Sequence, residues 1–227
     1  MRLNAFIRNL ANRELLLNAA SMVGTTVITA GLGFVYWWLA ARQFPQEAVG
    51  FASALISAMS LLGTLGMVGM GTLLIGELPR QPEQRAPLIT TALLVTGGVS
   101  VVLSLLFGLV APWFSVEFAV FAGQFGTIVG FTAGVALTAV TLVLDQAMIG
   151  LMRGDLQLWR NAIFAISKLV VLWLMGFWFT RSGGMSIYTT WTLGNVISVV
   201  GLAAIVMLLG GRIRAGKPHW GILRDLP

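Results

Sequence analysis

Apolar residues along this chain come in long runs that no charge interrupts. Charged side chains are absent over 15–41, 48–76, 86–116, 118–144 and 182–211, and a sixth run, 161–180, holds only Lys168. Each run reaches the roughly 20 residues that a helix needs to cross a hydrocarbon core of roughly 30 Å. Inside lipid the backbone must satisfy its own hydrogen bonds, which helices do within one segment. The pattern therefore predicts an all-α fold, a polytopic membrane helix bundle of about six transmembrane helices.

The residues between the runs divide the chain further. Arg2, Arg8 and Arg13 alternate with Leu3, Phe6, Ile7 and Leu10, a spacing that fits an amphipathic N-terminus over 1–14 lying at the interface and leading into the first span. That span, roughly 16–41, ends in Tyr36, Trp37 and Trp38, rings that favour the headgroup level. Pro45 is placed to stop it and Glu47 to start the next helix. The second span, roughly 48–76, carries Gly63, Gly66, Gly69 and Gly71, a density that predicts bending or local unwinding. Pro79, Pro82 and Pro87 make 77–87 read as a loop, before a third span at roughly 88–111 that Pro112 and Trp113 end. The fourth begins near Phe118 and stays apolar past Asp145 to Met152, long enough to tilt or protrude. Within it Gly126, Gly130 and Gly134 form a smooth stripe suited to close helix packing. The segment 153–160 reads as a loop, the fifth span runs on to Thr180, and a turn at Ser182, Gly183 and Gly184 leads to the sixth at roughly 187–210. The chain thus divides into the amphipathic cytoplasmic N-terminus at 1–14, a six-helix lobe at 15–211 and a basic cytoplasmic tail at 212–227.

Composition points the same way: 57% of the 227 residues are hydrophobic and 10% charged, against roughly a quarter charged in a soluble domain. The net charge of +6 belongs to topology. Eleven Lys and Arg fall on the N-terminus, the segments 77–87 and 153–160, and the tail, while only Arg42 and Arg181 fall on the other side. The positive-inside rule then gives an N-in, C-in chain. Trp37, Trp38, Trp113, Trp178 and Trp191 fall at the outer ends that this topology assigns. With no compact basic domain, nucleic acid is not an expected partner. The first run, 27 neutral residues long, exceeds the roughly 7–15 of a signal-peptide core and reads as a retained span.

Cysteine is absent and His219 is the only histidine, which removes disulfides, thiolate chemistry and an imidazole-built metal site. No metal-ligand spacing, nucleophile elbow or phosphate-binding loop occurs. The chain reads as a non-enzyme without a cofactor, and transport is the activity left for a bundle with sparse internal charge.

In lipid the costly residues carry the information, because an ionised group near the bilayer centre needs protein or water around it. Lys168, eight residues beyond Arg160, is expected well inside the cytoplasmic half of the fifth span. It either lines a water-filled cavity that meets an anionic substrate such as a pyrophosphate or snorkels to the inner interface. Asp145 balances Lys168 or another basic group, carries a coupling proton or sodium ion, or ends a protruding helix in solvent. Gln124 and Asn195 offer hydrogen bonds in the same cavity or between helices. Arg160, with Arg153 and Arg42, reads as a boundary anchor that could also line an entrance.

The stretch Gly33-Phe34-Val35-Tyr36-Trp37-Trp38-Leu39-Ala40-Ala41-Arg42, followed by Pro45-Gln46-Glu47-Ala48-Val49-Gly50-Phe51-Ala52-Ser53-Ala54-Leu55-Ile56-Ser57, resembles the first helical hairpin of Wzx-type oligosaccharide flippases. These form the polysaccharide-transport branch of the multidrug/oligosaccharidyl-lipid/polysaccharide superfamily. The step from Leu144-Asp145 through Arg153 to Arg160-Asn161 resembles that family's fourth-to-fifth helix connection. Glu77 departs from the basic residue that the resemblance implies there. The resemblance implies a transporter in the cell inner (plasma) membrane that carries lipid-linked oligosaccharide to the outer leaflet for cell-surface polysaccharide assembly, by alternating access between two lobes. This sequence supplies one lobe and stops at Leu226-Pro227 within the basic connector, so the expected partners are membrane lipid, the lipid-linked oligosaccharide, and a C-terminal lobe or a second copy. Two other readings stand beside it: a drug or metabolite antiporter of the same superfamily, and a non-transporting membrane scaffold for glycosyltransferases.

Overall fold

A computed structural model describes residues 2–122, 125–178, 184–210, 216–218 and 220–221, with side chains from Leu16 onward except at Leu17, Asn18, Glu117, Phe177 and Trp178. Among these residues the fold is entirely helical: α1 (Arg2–Gln43), α2 (Gln46–Gly66), α3 (Met70–Arg80), α4 (Arg85–Phe114), α5 (Phe125–Gly150), α6 (Gly154–Trp178) and α7 (Gly184–Leu208), with short 3-10 segments at Pro82–Gln84 and Val116–Phe121. Six helical stretches are long and apolar enough to cross a membrane. The protein is thus a multi-pass membrane protein of the expected class.

Helix α1 starts at Arg2 and reaches Gln43 without a break, so the amphipathic segment and the first span form one rod. It packs chiefly against α6 and leaves Val23, Val27 and Phe34 exposed. Pro45, extended at φ −59° and ψ 148°, separates it from α2. The glycine-rich second span breaks where its composition predicts. The helix stops at Gly66, Val68 and Gly69 take positive φ of 44° and 77°, and α3 restarts at Met70. Gly69 adopts this left-handed geometry without a Cβ penalty; for the β-branched Val68 it is strained.

The loops are shorter than the sequence suggests. Of the expected loop 77–87, α3 occupies the part up to Arg80 and α4 the part from Arg85. The three prolines fit because Pro79 lies in the last turn of α3, Pro82 opens the 3-10 turn, and Pro87 sits in the first turn of α4, where amide protons have no helical partner anyway. Likewise the expected loop 153–160 is mostly the first turns of α6, which starts at Gly154 after a tight turn through Met152. The expected turn at 182–184 lies outside the described residues up to Gly184.

At the centre, α2 packs against α4, α5 and α7, while α6 lies between α1 and α7. One aromatic core gathers Phe107, Phe118, Phe121, Phe131 and Tyr188 where α4, α5 and α7 meet. Of the glycine stripe on α5, only Gly134 meets a neighbour. A Cβ there would collide with the Tyr188 hydroxyl, and Gly126 and Gly130 face open space.

Candidate functional site

The earlier start of α6 moves Lys168 away from the cytoplasmic half. It stands fourteen residues after Gly154 and ten before Trp178, or about 21 Å and 15 Å along the axis. Neither end of α6 is within reach of a lysine side chain. The residue is 4% exposed, and its ammonium faces inward, 3.9 Å from the ring centroid of Trp191, 4.7 Å from Phe164 and 5.1 Å from Tyr36. Three helices build this enclosure: α1 gives Tyr36, α6 gives Phe164 one turn before Lys168, and α7 gives Trp191. Trp191 is accordingly a lining residue inside the bundle and not the interfacial anchor that its sequence position suggests.

The enclosure is braced. Tyr36 donates its hydroxyl to the Ile187 carbonyl at 3.1 Å and lies 2.8 Å from the Thr190 hydroxyl, while its ring meets those of Trp37 and Trp191 edge-on. Gly194 allows α7 to approach the Lys168 Cβ and the Phe164 ring. Among the described residues no carboxylate forms an ion pair with Lys168. Ring faces attract a cation without cancelling its charge. The site therefore places a lysine head group, surrounded by rings and without a paired carboxylate among the described residues, in the middle of a spanning helix.

Asp145 takes Arg160 as its partner. Arg160 donates Nε to Oδ1 at 2.7 Å and Nη2 to Oδ2 at 2.6 Å. Asn161 adds its amide to the same carboxylate at 3.3 and 3.4 Å and accepts from Arg160 Nη2 at 2.8 Å. Arg160 is 3% exposed, so the boundary-anchor reading is corrected: it is a buried ion-pair member tying α6 to α5. The solvated-end reading of Asp145 falls for the same reason. A weaker 3.5 Å contact runs from Arg160 Nη1 to Ser198, whose hydroxyl donates to the Asn195 carbonyl. Asn195 then donates to the Thr138 hydroxyl at 3.3 Å, linking α7 to α5. Gln124 lies outside the described residues.

Two polar groupings thus emerge along α5, α6 and α7. The Asp145–Arg160–Asn161 cluster continues through Ser198 to Asn195 and Thr138, and the Lys168 enclosure stands apart from it. Tyr36, Trp191, Asn161 and Ser198 are contributors that the sequence reading did not assign. The hollows between α4 and its surroundings, such as the space of about 350 Å³ beside Phe107, Phe114 and Phe118, are apolar and lie away from both groupings. Compared with protein-family models, with curated proteins and with solved structures, the chain finds no match.

Proposed function

We propose that this chain is one lobe of a membrane transporter that moves a lipid-linked oligosaccharide from the inner to the outer leaflet of the plasma membrane during cell-surface polysaccharide assembly. The observation that supports this most is the Lys168 ammonium, buried mid-span and held by rings, with no acid beside it among the described residues. An ionisable group at such depth is costly to retain. Its unneutralised charge suits an anionic group, such as the pyrophosphate that joins glycan to lipid carrier. A scaffold without a moving ligand gives that charge no purpose. The antiporter alternative draws on Asp145 as an ion carrier, and both of its oxygens are engaged by Arg160 and Asn161.

Alternating access needs a second lobe to rock against. In proteoliposomes the chain alone should bind a polyprenyl-pyrophosphoryl oligosaccharide yet leave it in its starting leaflet. Flipping should appear when a complementary lobe is supplied. Absence of glycolipid binding by the folded chain would sink the proposal, and robust flipping by a verified monomer would remove the one-lobe part of it.

A further inference from the structure

The break between α2 and α3 has features that neither the ion pair nor the lysine enclosure uses. The amides of Met67, Val68 and Met70 bond three residues back, to Thr64, Leu65 and Met67. The carbonyls of Gly63 and Gly66 thereby lose the donors that a continuous helix supplies four residues on. Both point toward the C-terminal end of α2, the negative end of its dipole. Helix α4 passes the break so closely that a Cβ on Gly66 would overlap the Ser100 hydroxyl. Ser100 and Thr96, one turn apart on α4, are completely buried, and neither hydroxyl has a hydrogen-bond partner. On the other side α5 lines the break, with Thr138 against Gly63 and the Gln146 side chain against Gly71.

Ser100 is fifteen residues from Arg85 and fourteen from Phe114, so the break lies at mid-height of a spanning helix. A buried hydroxyl without a partner at that depth is expensive. Every ligating atom in prospect is a neutral oxygen. The acids carried by α3 and α5 are committed elsewhere, Glu77 to Arg80 and Gln81, and Asp145 to Arg160. Divalent ions favour carboxylates, and a proton needs a titratable base. A small monovalent cation needs only hydroxyls, carbonyls and a negative helix end, as at other interrupted spanning helices.

We infer that the α2–α3 break, capped by Ser100 and Thr96, is a binding site for a sodium-sized monovalent cation. Binding draws the loose carbonyls of α2 and the α4 hydroxyls onto one centre and so sets the angle between α2 and α3. This inference does not rest on the substrate proposed above, because its readout requires no glycolipid.

The test uses the full chain in lipid nanodiscs, with thermal unfolding followed in sodium, potassium or choline chloride at equal ionic strength, and with radiolabelled sodium binding. Sodium should raise the midpoint above the choline value and potassium should do so less. Ser100→Ala and Thr96→Val should each weaken sodium binding about tenfold or more, the scale of a lost contact to a charged group, and the double variant should lose the sodium effect. Each variant is compared with itself in choline, so a general change in stability does not confuse the result. Equal midpoints in all three salts, or a double variant that binds sodium like the parent, would overturn the site.

Discussion

Arg160 and Asp145, fifteen residues apart in sequence, meet through a two-point fork of 2.7 and 2.6 Å that locks α6 against α5. Removing one partner strands the other charge in a poorly hydrated place. Asp145→Leu or Arg160→Met alone should cost about 3–5 kcal/mol, whereas the double variant should recover much of that loss. Reversible unfolding in mixed micelles measures the cycle, and additive single costs would show that the two side chains do not act as a pair.

Gly134 and Gly126 share a stripe but differ in surroundings. Gly134→Ala pushes a methyl into the Tyr188 hydroxyl and should destabilise by about 1–3 kcal/mol. Gly126→Ala meets nothing and should be neutral or stabilising by up to about 1 kcal/mol. The same unfolding assay separates them; equal effects would argue against the close α5–α7 approach.

Lys168 offers a separation of stability from function. Lys168→Met keeps most of the stem and removes a buried charge, so expression and unfolding resistance should hold or rise, while glycolipid binding should fall clearly. Lys168→Arg keeps the charge and should retain more binding, though its planar head fits the rings differently. Expression-matched binding measurements decide the point. Parental binding by the Met variant would confine Lys168 to a packing role.

The charge asymmetry makes a prediction about orientation. A topology reporter fused at Gly183 should be active outside the cytoplasm and one fused at Gly216 inside it. The reverse pattern at either site would invert the assignment.

The spans were legible because lipid leaves so few options: charge-free runs of this length fold as helices, and the glycine cluster from Gly63 to Gly71 marked the break in the second. Charges misled where they served the interior. Arg160 reads as part of a loop because loops are where charges are usual, but it belongs to a helix whose partner acid stands at a matching distance on the other side of the turn. That near-symmetry of Asp145 and Arg160 about Met152 was a signal in the sequence. The Lys168 enclosure left no such trace. Tyr36 lies 132 residues before Lys168 and Trp191 lies 23 after it, and both carry an ordinary interfacial signature. Ser100 and Thr96 were equally hidden, since isolated hydroxyls on an apolar helix usually bond back to their own backbone, as Thr91 does to Pro87.

The attachment of α1 to α6 has a consequence for biogenesis. The first helix leaves the ribosome long before the helix that receives it, because about 110 residues separate Gln43 from Gly154; at typical synthesis rates the interval is on the order of ten seconds. During that time α1 has neither Leu172 nor Ile187 to bury Tyr36 and Ala40. It must wait in lipid or beside the insertion machinery, exposing a face whose partners have yet to be made. Nascent chains that end before α6 should therefore display α1 as a separate, crosslinkable helix, whose inner face is covered only when α6 and α7 arrive.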